Sequence, residues 1–391
     1  MDSPYSTGPV PPLVCGAGEL CCLPGLLPSD VGSVLLVTDA GVAAAGLADR
    51  VEETLADGPP VTRFVAPGSE PTVATVDQAA ARARALDRPV IVGLGGGTAL
   101  DIAKLVAGLE RTDRDLGEYL LGAGTFGDRA PAVMIPTTSG TGSEVTRTCI
   151  VSGRGGAKLW VWSPVLGPDS VLLDPELTTS MPRALAVATG LDAFVHALEA
   201  VTGQARNRFS EACGLQAIHL ATHALDTFAG HSSDLAAAGA MQESAMLAGL
   251  AIDSGGTGIA HNIGHALGSL YHVPHGVAVA IALEASLEWS VGEPGSRFER
   301  AAEAFGEGHT VGTLPGAYAQ WLKRLDFSTV AIPALPDSLD ADALAATMAA
   351  AENMPMARNG ARPAEVDDLE HLAQRTVALC DRYLQHREVP A

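Results

Sequence analysis

Short apolar runs alternate with Ala-rich stretches of helical period through the first part of the chain. Ser33–Thr38, Val61–Val65, Pro89–Leu94, Ala132–Ile135 and Ser170–Leu173 read as strands. Pro89–Leu94 is apolar without interruption, as a strand covered on both faces of a parallel sheet must be. Between these runs, Val42–Leu55, Thr72–Leu86 and the stretch around Asp101–Leu109 place Ala, Val and Leu at helical spacing. A β-α-β-α order of this kind predicts a doubly wound parallel sheet. After about Pro182 the strand-like runs largely vanish. Ala184–Val201, Phe209–Phe228, Asp234–Ile252 and Ala278–Trp289 predict consecutive helices, and the proline-bearing stretch Leu314–Pro336 is expected to connect others. The pattern therefore predicts an α/β domain over residues 1–181 and an all-helical domain over 182–391.

Composition narrows the function classes. The chain has 391 residues, 47% hydrophobic and only 18% charged, enough for a sizeable core. Its 24 Lys and Arg face 45 Asp and Glu, a formal net charge of -21. A field of that sign repels nucleic acid and anionic membrane surfaces, so neither is an expected partner. Local basic spots could still hold a small anion. The stretch Met1–Pro12 has no basic start or apolar run, and no segment is expected to approach the roughly 20 apolar residues that span a bilayer. Cys15, Cys21, Cys22, Cys149, Cys213 and Cys380 are scattered without a CxxC pair, which predicts buried free thiols and the cytoplasm as location.

Three segments carry candidate chemistry of one kind. Gly95-Gly-Gly-Thr98 joins a strand to a helix. Glycine lets the backbone approach a phosphate, and the helix N-terminus adds unpaired N–H groups. The same turn also arises where glycine merely supplies unusual backbone angles, and it is not GxGxxG. Asp39 ends the first long strand, where a carboxylate can accept from ribose hydroxyls and repel a 2′-phosphate; a turn or helix cap is the alternative. Pro136-Thr-Thr-Ser-Gly-Thr-Gly-Ser-Glu144 is a second small-residue loop after a strand, with hydroxyls and amides suited to a ribose, pyrophosphate or nicotinamide.

A fourth segment group points to a metal. Asp192 and His196 are four residues apart within a predicted helix, so they share a face. His261 and His265 repeat that spacing, and His272 and His275 follow closely. Imidazole nitrogens with a carboxylate oxygen suit a borderline divalent cation. Spacing leaves membership open, because His265 and His272 compete with His261 and His275. Glu199, a turn beyond His196, reads as structural.

Together these motifs resemble the iron-dependent (group III) alcohol dehydrogenases. The resemblance rests on Gly95–Lys104, Pro136–Thr146, Gly190–His196 and His261–Gly276, in order, and spans Asp39 to about Pro363. It implies an N-terminal Rossmann-like α/β domain plus an all-α C-terminal domain, the fold shared with dehydroquinate synthase. It assigns the metal to Asp192, His196, His261 and His275, and moves His265 to the catalytic position beside nicotinamide and substrate. Gly96, Gly97, Thr98 and Asp101 fall on the pyrophosphate loop. Thr137, Thr138 and Thr141 fall on the second cofactor loop, Lys158 near the cofactor ribose, and Asp39 on the residue associated with NAD over NADP. Ser69-Glu70-Pro71 departs from the family's usual Asn-Pro. Trp160 and Trp162 are unusually bulky, with a packed strand as their expected role.

The expected chemistry is reversible hydride transfer between NAD(H) and a small alcohol or aldehyde on a divalent metal, Fe(II) or Zn(II), in a homodimer. The alternative is reduction of an anionic carbonyl of the phosphonate, sulfonate or maleylacetate type, with Arg147, Arg154, Lys158 and Arg362 as possible anchors. Ser139-Gly-Thr-Gly-Ser-Glu144 differs from the Tyr-Ala-Gly-Ser-Glu of the maleylacetate reductases. A dehydroquinate-synthase-like lyase is disfavoured by the sparse basic residues.

Overall fold

The computed structural model describes residues 4–68, 70–153, 157–292 and 295–385. Ser69 and Arg154 lie outside the described residues. The described residues form two compact units: 8–181 with 232–242, and 182–231 with those from 243 onward, joined by 4–7.

The α/β unit is built on strands β1 (Leu13–Cys15), β2 (Ser33–Asp39), β3 (Val61–Ala66), β4 (Pro89–Gly95), β5 (Ala132–Pro136), β6 (Thr148–Ser152), β7 (Lys158–Trp162) and β8 (Ser170–Leu173). Six form one parallel sheet in the order β1-β8-β5-β4-β2-β3. Helices α1 (Leu23–Leu26), α2 (Ala40–Ala44), α3 (Leu47–Thr54), α4 (Val73–Arg84) and α5 (Gly97–Leu109) accompany it. Leu36, Val92, Leu94 and Ile135 from the strands bury against Ala48 and Val51 of α3. Each Leu or Val buried in this way contributes about 1.5–3 kcal/mol. The helix expected over Val42–Leu55 is two helices, because Gly46 takes a left-handed φ of 76° between them. Strands β1, of only three residues, and β6 were not anticipated; the strand expected around Trp160 and Trp162 is β7, which pairs antiparallel with β6 from Thr148↔Trp162 to Ser152↔Lys158.

Strand β2 pairs with β3 on one side and β4 on the other. The order of connection reverses there, and open parallel sheets bind ligands outside the carboxyl ends of strands at such a switch point. Asp39, Gly95 and Pro136 are the last residues of β2, β4 and β5.

The helical unit begins with α6 (Arg183–Thr202) and α7 (Arg208–Gly230), continues through α8 (Leu235–Gly255), α9 (Ile259–Tyr271) and α10 (His275–Val291), and ends with α11 (Glu299–Phe305), α12 (Leu314–Arg324), α13 (Ser328–Ala331), α14 (Ala341–Met348), α15 (Met354–Asn359) and α16 (Val366–Gln385). Helix α6 is buried from Gly190 to Thr202 and packs against α7 and α10. Gln242 on α8 belongs to the α/β unit, where its amide donates to Pro136 O and Asp174 O, both at 3.3 Å.

The expectation that no segment reaches membrane-spanning length and apolarity is corrected: α6 and α8 both do. Their apolar spans are 83% and 61% buried inside the fold, as helices apolar all round must be in a protein core. The cysteine expectation also needs correction. No disulfide joins the six, but only Cys149 and Cys380 are buried, while Cys15 and Cys21 are exposed.

Candidate functional site

The helical unit gathers Asp192 and His196 from α6, His261 from α9 and His275 from α10. One ligand atom from each lies within 4.8 Å of all the others. Asp192 Oδ1 is 3.7 Å from His196 Nδ1, 3.7 Å from His261 Nε2 and 3.5 Å from His275 Nε2. Ligands about 2.1 Å from a tetrahedral ion sit ~3.4 Å apart, so these separations suit a first-row divalent cation. Asp192 and His261 are almost wholly buried, yet Asp192 Oδ1 and His261 Nε2 have no hydrogen-bond partner. Buried polar atoms are rarely left so, and here the orphaned atoms converge on one point.

The electrostatics agree with a charged site. Burial alone would raise the Asp192 carboxyl, but His196, His275 and His261 outweigh it and hold the group far below the usual carboxylate range. Burial would lower His261, but Glu199 and Asp192 reverse that and push it up to about 9. A cation must displace that proton to bind.

Local backbone explains the placement. His275 is the first residue of α10, and a Cβ on Gly276 would lie 2.3 Å from Ala188 O on α6. Only glycine lets α10 approach α6 closely enough there. His265 lies one turn beyond His261, its ring 5.5 Å from that of His275, on the rim of the cluster and outside the four-ligand group. His272 is exposed, with φ of 57° as the C-cap of α9, so the fold keeps it away from the ligands. Sequence reasoning read Glu199 as structural without naming its partners, and it stands outside the four-ligand group. Its carboxylate accepts from His261 Nδ1 at 2.6 Å, Gly258 N at 2.7 Å and Ala260 N at 2.6 Å. The signal was present, since Asp192, His196 and Glu199 fall at i, i+4 and i+7 on one helical face.

The α/β unit assembles the other group of residues. Gly96 is the N-cap of α5 and no side chain caps it; a helix N-terminus of this kind suits an anion. Thr98 stands in that first turn, half-buried. A Cβ on Gly97 would lie 2.9 Å from Thr141 Cγ2, and one on Gly96 3.2 Å from Thr138 Oγ1. The two loops therefore pack together, and Thr137 N donates to Gly95 O at 3.0 Å. Asp39 caps α2 through Oδ1, accepting from Val42 N at 3.0 Å, and turns Oδ2 towards Gly95. Asp101 takes a structural part in the same region. Its carboxylate accepts from Ser143 Oγ and, at 2.8 Å, from Ile150 N, and it pairs with the buried Lys104 at 3.2 Å. It thereby ties α5 to the second loop.

The remaining candidates are already engaged. Lys158 pairs with Glu70 at 2.9 Å, and Glu70 also accepts from Ser152 Oγ at 2.6 Å. Arg362 stacks over Trp289 at 4.3 Å and pairs with Asp368 at 3.1 Å. Arg147 lies over Trp162 at 5.5 Å. Trp162 is 46% exposed, so the packed-strand expectation fails for it, whereas Trp160 is half-buried in β7.

Comparison with known proteins adds family context. The model described as "Iron-containing alcohol dehydrogenase" matches residues 11–175, and the C-terminal model of the Fe-containing family matches 186–377. The chain is 34% identical to a 1-propanol dehydrogenase of Salmonella typhimurium over 276 residues, 70% of this chain and 71% of that protein. It is 34% identical to a sulfoacetaldehyde reductase of Bilophila wadsworthia over 63% of this chain and 64% of the relative. The crystal structure of a 1,3-propanediol oxidoreductase is similar with a TM-score of 0.84 and 26% identity, covering 96% of this chain and all of that one.

Proposed function

The chain belongs to the iron-containing alcohol dehydrogenase family, and on that premise we propose how its residues divide the work. It is a metal-dependent, NAD(H)-linked alcohol dehydrogenase that also runs as an aldehyde reductase. Residues 1–181 carry the dinucleotide and residues 182–391 the cation. Asp192, His196, His261 and His275 hold the cation, a donor set that accepts Fe(II) or Zn(II). Gly96, Gly97, Thr98, Thr137, Thr138 and Thr141 receive the dinucleotide, Asp101 braces their two loops, and Lys158 stands near the ribose. Asp39 favours NAD by repelling a 2′-phosphate.

When bound, the cation polarises the substrate oxygen and the nicotinamide exchanges hydride with the substrate carbon. The protein's own contribution is positional. Asp192 supplies the one negative ligand in a buried setting, which keeps the cation's net charge positive. His265, one turn from His261 but outside the ligand group, is placed to orient the substrate or relay its proton. The observation that carries this reading is the convergence of four ligand atoms, two of them buried without any other partner.

A small uncharged alcohol or aldehyde is the favoured substrate. Among the described residues, the candidate anion anchors Lys158 and Arg362 are already paired with carboxylates. We place the enzyme in the cytoplasm, consistent with the lack of disulfides, and as a homodimer, the commonest closed assembly. The test is an alcohol and aldehyde panel with NAD(P) and NAD(P)H, after loading with Fe(II) or Zn(II), read at 340 nm. Turnover of short uncharged substrates with NAD(H) is expected. A preference for sulfonate or phosphonate aldehydes would move the reading to its anionic alternative, and no turnover of any panel member would sink both.

A further inference from the structure

Glu199 stands behind His261, on the side of the ring away from the four converging ligand atoms. One carboxylate makes three contacts there: His261 Nδ1 at 2.6 Å, Gly258 N at 2.7 Å and Ala260 N at 2.6 Å. Gly258 is the N-cap of α9, and that end of the helix has no side-chain cap from its own residues. Glu199 therefore supplies the cap from α6, and the anion also complements the positive end of the helix. His261 is the third residue of that same helix. The carboxylate thus grips both the backbone that carries His261 and the ring itself.

We infer that Glu199 is a positioning residue that fixes His261 for metal binding, in both ring orientation and tautomer. A carboxylate oxygen only accepts, so the Glu199 contact requires Nδ1 to carry a hydrogen. Nε2 is then the nitrogen that can turn a lone pair to a cation, and it is the atom without a hydrogen-bond partner 3.7 Å from Asp192 Oδ1. A helix face holding Asp192, His196 and Glu199 links two ligands and the support of a third in one rigid element. The room for this arrangement is narrow. A Cβ on Gly258 would lie 3.0 Å from Glu199 Oε1, so a side chain at 258 would press on the carboxylate. The proposal rests on the reading that these four residues hold a cation.

The test uses the full chain stripped of metal and titrated with Co(II), followed by visible absorption, with melting of the metal-free protein measured alongside. Glu199→Gln keeps the shape but offers one oxygen instead of two. It should bind Co(II) about 10- to 100-fold more weakly, with the metal-free melting temperature changed by only a few degrees. In a His261→Ala background the same substitution should change Co(II) affinity less than about threefold, because the ring through which Glu199 acts is gone. Glu199→Asp keeps the charge and shortens the reach, and should also weaken binding; it serves as the variant for the cycle if Glu199→Gln does not fold. Unchanged affinity in Glu199→Gln, or an equal loss with and without His261, would overturn the proposal. Failure of the unaltered chain to bind Co(II) at all would instead overturn the metal reading beneath it.

Discussion

The two groups of functional residues are built in opposite ways. In the helical unit the site is made of side chains. Asp192, His196, His261 and His275 project from three helices onto one point, and α6, from which two of them come, is buried along most of its length. In the α/β unit the proposed site is largely a matter of backbone. Gly96 and Gly97, after β4, pack closely against Thr138 and Thr141 of the loop after β5. A side-chain site depends on each residue's identity, because one missing ligand leaves the other buried charges unmatched. A backbone site depends on close approach, and its side chains tune preference more than existence.

The largest effect should come from breaking the side-chain site. Asp192→Ala is expected to abolish stoichiometric metal binding and His261→Ala to leave only weak, titratable binding; each should lower turnover by at least about 10³-fold, the scale of several kcal/mol of Lewis-acid stabilisation. Metal content by mass spectrometry and NADH change at 340 nm measure this, with circular dichroism showing that the fold is kept. Full activity in a metal-free variant would erase the contrast between the two units.

A middle-sized effect should appear beneath the second loop. Glu144 is buried, and burial pushes its carboxyl up to about 7, only partly offset by a backbone hydrogen bond and by Lys104. A carboxyl raised above its ordinary 4.5 stays protonated in the folded chain while the unfolded chain has lost its proton. Its stabilising contribution is full below about pH 4.5 and is lost as pH rises through about 7. Glu144→Gln cannot ionise. It should therefore be more stable than the unaltered chain at pH 8 by up to about 3 kcal/mol, with the difference vanishing near pH 4.5. Urea midpoints across that range give the answer; a constant difference would show that Glu144 does not titrate in this window.

The smallest effect should be on cofactor choice. Asp39→Gly removes the carboxylate while keeping a residue tolerated as an N-cap, at a cost of a few tenths of a kcal/mol. The NADP to NAD ratio of kcat/KM should rise roughly ten- to a hundredfold, about 1.4–2.8 kcal/mol of repulsion relieved. An unchanged ratio would mean that Asp39 serves α2 as a cap and nothing else.

Periodicity alone was enough for the strands of the sheet core, because β2, β4 and β5 are buried on both faces and must be apolar throughout. It was enough for α6, α7, α8 and α10 too, but not for α16, which was not singled out, or for α12 and α13, which occupy the stretch Leu314–Pro336 expected only to connect helices. It was not enough for β1, which is too short to show a period, or for the β6–β7 pair, which lies outside the main sheet. The break at Gly46 depends on a single backbone angle that Ala-rich flanks conceal.

For the site, the sequence by itself determined which residue types were present and which pairs shared a helical face: Asp192 with His196, and His261 with His265. A helix repeats its faces every 3.6 residues whatever surrounds it, so such pairs follow from local geometry. The tertiary structure decided the rest. Spacing left His275 and His272 in competition and only the resemblance chose between them; the tertiary structure shows His275 joining the four-ligand group while His272 turns to solvent, because that depends on how the chain leaves α9 and enters α10. It alone shows Glu199 beneath His261, a contact between residues 62 apart in the chain. Distances of that kind are set by how helices pack, and no local period encodes them.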